Sequence, residues 1–139
     1  MRLKQAAGLV VYRKVGEKIE YLLLKASYGK HEWSPPKGHL DKGETEWMAA
    51  LRETKEEANL NSDQYIVHED CHETTSYEAR NCKKTVKFWA AMLKDSEEVR
   101  VSKEHLTFQW FELNDAIKAM NYEEMEMIFR KFHDYILQH

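Results

Sequence analysis

Between Gly38 and Leu60 the chain reads GHLDKGETEWMAALRETKEEANL, a stretch that opens on glycines and closes on an acidic run. Within it, Trp47, Ala50, Leu51, Thr54 and Ala58 recur at spacings of three and four, which predicts a helix over Glu44 to Ala58 with one apolar face. Asn59 and Leu60 predict its end, because Asn tolerates a left-handed cap and Leu60 can pack back on the last turn. With Glu53 set at zero around the helix axis, Glu56 falls at about −60° and Glu57 at about +40°, while Trp47, Leu51, Thr54 and Ala58 fall between about +100° and +160°. Three carboxylates thus share one arc beside the face expected to be buried.

Upstream, Ser27 to Gly43 holds both prolines, Pro35 and Pro36, and three of the five glycines, and is expected to be a long shaped loop without repeated structure. Such loops inside compact domains usually serve function. Before it, the apolar runs Ala6 to Arg13 and Ile19 to Ala26, joined by Lys14 to Lys18 with Gly16, predict an antiparallel hairpin. Downstream, Thr74 to Ala79 and Thr85 to Met92 predict a second hairpin about Arg80 to Lys84, and Thr107 to Phe111 a further strand. Asn114 is placed to cap a short helix to Met120, and Met125, Ile128, Phe129, Phe132 and Ile136 form the buried stripe of a C-terminal helix. Strands, one loop, a helix, more strands and terminal helices indicate an α+β layered domain with a mixed sheet, one domain over residues 1–139.

A formal charge of −3 gives no reason to expect adsorption to nucleic acid or to an anionic membrane, so phosphate must be met by local cations. The longest apolar run, Tyr21 to Leu24, is far shorter than a membrane span, and the opening residues lack a signal-peptide core; a cytoplasmic protein, possible also in the nucleus, is expected, acting as a monomer. Cys71 and Cys82 lack the spacing of a disulfide framework or zinc cluster. His68, His72, His133 and His139 lack ligand spacing and are expected to be packed or solvated.

The ordinary reading of an acidic helix is a solvated face. Here Glu53 and Glu57 are like charges at i,i+4, destabilising by roughly 0.2–0.5 kcal/mol. Glu56 and Glu57 also occupy the negative end of the helix dipole, unfavourable by roughly 0.3–1 kcal/mol. Arg52, four residues before Glu56, is their only same-helix partner, in the weaker orientation. The cluster therefore calls for a cation. Oxygen ligands with carboxylate charge suit hard divalent ions, above all Mg²⁺, with Mn²⁺ as an alternative. Gly38 can bring a backbone carbonyl to the same ion, and Lys37 beside it can meet a phosphate.

This spacing resembles the Nudix box. From Gly38, five residues lead to Glu44 and seven more to Arg52-Glu53, followed by Glu56-Glu57, Asn59 and Leu60, with Asn59 where the box has its second glycine. The resemblance implies a Nudix hydrolase with an α/β/α sandwich around a mixed sheet. By position it implies that Glu53, Glu56, Glu57 and the Gly38 carbonyl ligate metal, that Arg52 orients a carboxylate, and that Glu44 is structural. A further acid from a distant loop is implied, for which Glu104 is the candidate metal ligand and catalytic group. A carboxylate acting as general base is also implied, and Glu53, Glu57 and Glu104 remain open for that role.

Beyond the box, the segments Trp33 to His39, Tyr77 to Arg80 with Lys84 to Val86, Ser102 to His105, and Tyr122 to Met125 are similar to the animal-type asymmetric diadenosine tetraphosphate hydrolases. That resemblance implies cleavage of a small dinucleoside polyphosphate to ATP and AMP. It assigns Tyr77 and Tyr122 to the adenine site and Lys37 and Lys84 to phosphate, with Tyr28 joining them. Where the family tends to read His-His-Trp this chain has His31-Glu32-Trp33, so a carboxylate that would repel a tetraphosphate replaces an imidazole, and His31 is the expected substitute. The rival readings are another Nudix specificity (nucleoside triphosphate, nucleotide sugar, mRNA cap or diphosphoinositol phosphate) and a non-catalytic nucleotide-binding module.

Overall fold

The computed structural model describes residues 2–79, 81–95, 97–103 and 105–139. Strands β1 (Arg2–Val15) and β2 (Lys18–Ala26) form the expected hairpin, and Gly16 at φ 62° supplies the left-handed turn residue between Val15 and Lys18. The two strands pair only from Tyr12 to Val15 and from Lys18 to Tyr21, then part. Two short strands fill the wedge: β3 (Trp33–Ser34) on β2 and β4 (Lys37–His39) on β1. The segment expected as an unstructured loop therefore carries sheet structure. It borrows backbone partners from strands already built, so no alternation in its own two or three residues betrays it. Gly8 makes the approach possible, since a β-carbon there would stand 2.2 Å from the Pro36 carbonyl oxygen, to which Leu9 N donates at 3.2 Å.

Helix α1 (Glu46–Ala58) follows, capped by Thr45, whose hydroxyl accepts from Met48 N at 3.1 Å. A short 3₁₀ turn, Ser62–Gln64, leads into the second hairpin, β5 (Tyr65–Ala79) and β6 (Cys82–Leu93). This hairpin is longer than expected: β5 begins at Tyr65, and a register shift between His68 and His72 breaks the alternation that would have marked it. Its turn is tighter too, Ala79 pairing with Cys82 and Asn81 at φ 61°, while Arg80 lies outside the described residues. Strand β7 (His105–Phe111) pairs β2, and helices α2 (Leu113–Met120) and α3 (Glu123–Gln138) close the chain. Asn114, expected as a cap, falls inside the first turn of α2, whose flanking residue is Glu112. Asn59 at φ 56° and Asn121 at φ 58° end α1 and α2 alike, each N–H donating to the carbonyl four residues back.

The sheet order is β3-β2-β1-β6-β5, with β1 parallel to β6 and the other pairs antiparallel. The middle of β1 is apolar without alternation because both faces are covered. Ala6, Val10 and Tyr12 pack with Phe88 under Phe129, Phe132 and Ile136 of α3. Ala7, Leu9 and Val11 pack with Trp89 and Ala91 under Ala49, Ala50 and Ala58 of α1. The result is an α/β/α sandwich of the α+β class. Among the described residues, no helix is long and apolar enough to cross a membrane.

Candidate active site

Helix α1 lies on the sheet in a different rotation from the one its large side chains suggest. Ala49, Ala50, Thr54 and Ala58 are fully buried, Glu53 and Glu57 at 9% exposure join them, and Trp47 and Leu51 sit at the margin. Small alanines let the helix approach the sheet closely, while Trp47 packs edge-on against Trp89 with centroids 5.2 Å apart. Two of the three carboxylates are thus inside the buried face, not beside it.

Strand β4 is what covers them. Gly38 pairs with Ala7 and faces α1, and a β-carbon on it would stand 1.6 Å from Glu53 Oε2. Lys37 N donates to Glu57 Oε1 at 3.0 Å. Glu56 stays outside, its side chain 55% exposed. The glycine is required by proximity, because the carboxylate fills the space a side chain would take.

Arg52 holds this group together, and its principal partner is Glu44, not the helix neighbour Glu56. Its Nε donates to Glu44 Oε2 at 2.7 Å and its Nη2 to Glu44 Oε1 at 2.9 Å, a two-pronged pair. Nη2 also donates to the His39 carbonyl at 2.9 Å, and Nη1 reaches Glu56 Oε2 at 3.1 Å and Glu53 Oε1 at 3.4 Å. The Arg52 hydrogen bonds and the Asp41 N–H hold the Glu44 carboxyl below the usual carboxylate range, and the Glu44 contact keeps the guanidinium more firmly protonated than an ordinary arginine. One cation shared among four carboxylates, with Asp41 Oδ2 at 3.3 Å from Nε as the fourth, leaves the cluster acidic.

The end of α1 is strapped by a distant segment. Ser102 N donates to the Glu57 carbonyl at 3.1 Å, Arg100 N to Ala58 O at 3.0 Å, and Asn59 Nδ2 to Arg100 O at 2.7 Å. The first two bonds satisfy carbonyls that a helix end otherwise leaves open. Glu104, the candidate fourth acid, lies outside the described residues; its neighbours Ser102 and His105 are joined through Oγ and Nδ1 at 3.2 Å.

The donors around Gly38 fit a hard divalent cation: they are carboxylate oxygens of Glu53 and Glu57, set against a residue with no side chain. Among the described residues, no three acidic, histidine or cysteine side chains converge on one point; Glu53 and Glu56 are bridged by Arg52 Nη1.

The opposite face of β4 carries cations. Lys37 pairs with Gly8 and His39 with Ala6, so both side chains point away from α1, as do Lys4 and Lys84, which pair with each other across β1 and β6. Burial and then the charges of Lys84, Lys37 and Lys4 on the same face depress the His39 imidazole below its ordinary value. Tyr77 lies directly across from Lys84 and is 50% exposed. Tyr122, 49% exposed, donates its hydroxyl to Glu32 Oε1 at 2.5 Å. That bond, some burial, the Glu32 charge and nearby Tyr77 raise the Tyr122 phenol.

Lys37, Lys84, Tyr77 and Tyr122 therefore share one face. Tyr28 is exposed on the preceding turn, and the His31 Nδ1–H donates to the Ala26 carbonyl at 3.0 Å with its backbone left-handed; among the described residues neither bonds to Lys37 or Lys84. Glu32 is engaged by Tyr122, and does not reach into the acid cluster. Sequence reasoning missed Lys4 and His39 as members of the basic set. Their signal is the alternation of β1 and β4, readable only once the parallel β1–β6 pairing is known. An open polar groove lined by Lys55, Asn59, Gln64, Glu97 and Arg100 runs past the end of α1, and Glu53, Glu57, Lys37, Lys84, Tyr77 and Tyr122 are not among its lining residues.

Comparison with known proteins agrees with this geometry. The family described as NUDIX domain matches residues 2–132. The chain is 57% identical over 128 residues to the bis(5'-nucleosyl)-tetraphosphatase (asymmetrical) of Caenorhabditis elegans, covering 92% of this chain and 93% of that protein. It is 40% identical over 139 residues to the protein of the same name from Rattus norvegicus, covering 95% of each. A crystal structure of a C. elegans Ap4A hydrolase binary complex superposes with a TM-score of 0.94 at 54% identity, over 98% of this chain and 99% of that one.

Proposed function

Because the chain belongs to the NUDIX family, we propose that its acid cluster and basic face together hydrolyse diadenosine 5',5'''-tetraphosphate to ATP and AMP. The protein is a Nudix hydrolase of the asymmetric bis(5'-nucleosyl)-tetraphosphatase type. What carries this reading is β4, three residues whose alternation sets Gly38 against buried carboxylates and Lys37 and His39 among cations on the other side. A polyphosphate chain crossing the end of this strand meets both.

Nudix hydrolases use divalent cations; here Glu53, Glu56, Glu57 and the Gly38 carbonyl would hold Mg²⁺, with Mn²⁺ as a substitute and Glu104 as a further ligand. When bound, the ion supplies charge neutralisation for the phosphoryl oxygens and acidifies the attacking water. Arg52 orients Glu53 and Glu56 from the anchor that Glu44 provides. One of Glu53, Glu57 and Glu104 takes a proton from the water, whose oxygen bonds to a terminal phosphorus. The bond from that phosphorus to its bridging oxygen breaks and ATP leaves. Lys37 and Lys84, with Lys4 and His39, take phosphate charge, and Tyr77 and Tyr122 offer ring faces for adenine. Tyr28 and His31 contribute at the rim, and the enzyme acts as a monomer.

The test is hydrolysis in ¹⁸O-water with Mg²⁺ and with chelator. Magnesium-dependent ATP and AMP, with label in AMP, is the expected result. Two molecules of ADP, or label in ATP alone, would contradict it.

A further inference from the structure

Glu32 is the residue least expected on a face that meets polyphosphate, and its place is well defined. Its carbonyl accepts from Ala26 N at 3.0 Å, which pins it to the end of β2. The next residue, Trp33, is held in β3 and packs edge-on against Phe111 with centroids 5.2 Å apart. Tyr122 is equally fixed in its backbone, between Asn121 at φ 58° and the first turn of α3, where its carbonyl accepts from Glu126 N at 3.0 Å. The 2.5 Å hydrogen bond thus joins two anchored points 90 residues apart, beside Tyr77.

An exposed tyrosine ring otherwise samples several rotamers. A short bond from its hydroxyl to a carboxylate, itself on a pinned backbone, selects one. The same bond directs the carboxylate toward the phenol, so its charge is partly satisfied there. We propose that Glu32 is a positioning residue that presets the Tyr122 ring for the adenine base. The proposal rests on the functional reading above, in which Tyr122 stacks on that base.

Its opposite is simple repulsion, in which Glu32 is only a negative charge beside an anionic substrate and its removal tightens binding. Saturation kinetics with diadenosine tetraphosphate and Mg²⁺ separate the two, using the wild type, Glu32→Ala, Glu32→Gln, Tyr122→Phe and the Glu32→Ala/Tyr122→Phe double variant. Thermal melts check folding. Positioning predicts that Glu32→Ala raises KM roughly three- to tenfold with kcat within about twofold, the range expected when one side chain must be ordered on binding. Tyr122→Phe, which keeps the ring and loses the hydroxyl, should match it, and the double variant should be no worse than either single. Glu32→Gln, whose amide oxygen still accepts, should return KM to near wild type. An unchanged or lowered KM in Glu32→Ala, or effects that add in the double variant, would overturn the proposal. Absence of ATP and AMP with the wild type would overturn the functional reading first, and the proposal with it.

Discussion

The backbone of Gly38 and the carboxylate of Glu53 occupy one another's space so closely that a β-carbon at residue 38 would stand 1.6 Å from Oε2. Gly38→Ala must therefore move the carboxylate or β4. The carboxylate is the end of a flexible side chain, so it yields first and the fold survives, with a loss within the roughly 1–3 kcal/mol typical of overpacking. Turnover should fall at least tenfold, because the displaced group is a proposed metal ligand. Steady-state kinetics beside a thermal melt give both numbers; full turnover in a folded Gly38→Ala protein would remove Glu53 from the site.

Glu57→Gln separates chemistry from stability. The amide oxygen still accepts from Lys37 N, and the repulsion between Glu57 and Glu53 is relieved, so melting temperature should hold or rise. Turnover should fall by about 10²–10⁴ if this carboxylate carries the proton. Glu57→Ala, which also strips the Lys37 amide of its acceptor, should be less stable by about 1 kcal/mol. A large loss of melting temperature with normal turnover in Glu57→Gln would reverse the assignment.

The basic face should act on affinity. Lys84→Ala and Lys4→Ala each remove a cation proposed to face the phosphates and should raise KM about tenfold, the loss of one charge-assisted hydrogen bond, with little change in kcat. The effect should shrink at high salt. If Lys4→Ala behaves as wild type across salt concentrations, the basic set is smaller than its alternation on β1 and β4 suggests.

Stability should fall as pH drops from neutral. Burial depresses the imidazoles of His68 and His133, which hydrogen-bond Tyr12 Oη and Tyr21 Oη at 2.6 Å each. A histidine with a lowered folded-state pKa binds its proton more readily in the unfolded chain, so stability is lost as pH falls below about 6.5 toward the folded value, and is complete above it. Melting temperatures from pH 8 to 5 should decline for the wild type and decline less for His68→Gln/His133→Gln. Equal slopes would mean that other groups govern the acid side.

What was legible in the sequence is what depends on neighbours along the chain. The β1–β2 hairpin followed from apolar runs about Gly16, and the end of α1 from Asn59, because backbone conformation at those points is a local matter. The acid cluster was legible for the same reason, being set by helical spacing alone. Its rotation was not: Trp47 and Leu51 drew the expected buried face toward themselves, whereas Ala49 and Ala50 govern how closely α1 meets the sheet. Strands β3 and β4 exist only because β1 and β2 part, and the basic set of Lys4, His39, Lys37 and Lys84 depends on pairings between distant strands. Glu32 could be read as a misplaced charge, yet its partner Tyr122 is 90 residues away and nothing local points to it.

On the reading proposed above, the carboxylates packed against β4 form a divalent-ion site serving the basic face. The deciding experiment is calorimetric titration of Mg²⁺ or Mn²⁺ into folded wild type and folded Glu53→Gln/Glu57→Gln, each with a non-hydrolysable dinucleoside tetraphosphate present. Uptake by the wild type that is lost or weakened at least tenfold in the variant is the predicted result. No uptake by the wild type, or equal uptake by both proteins, would contradict it.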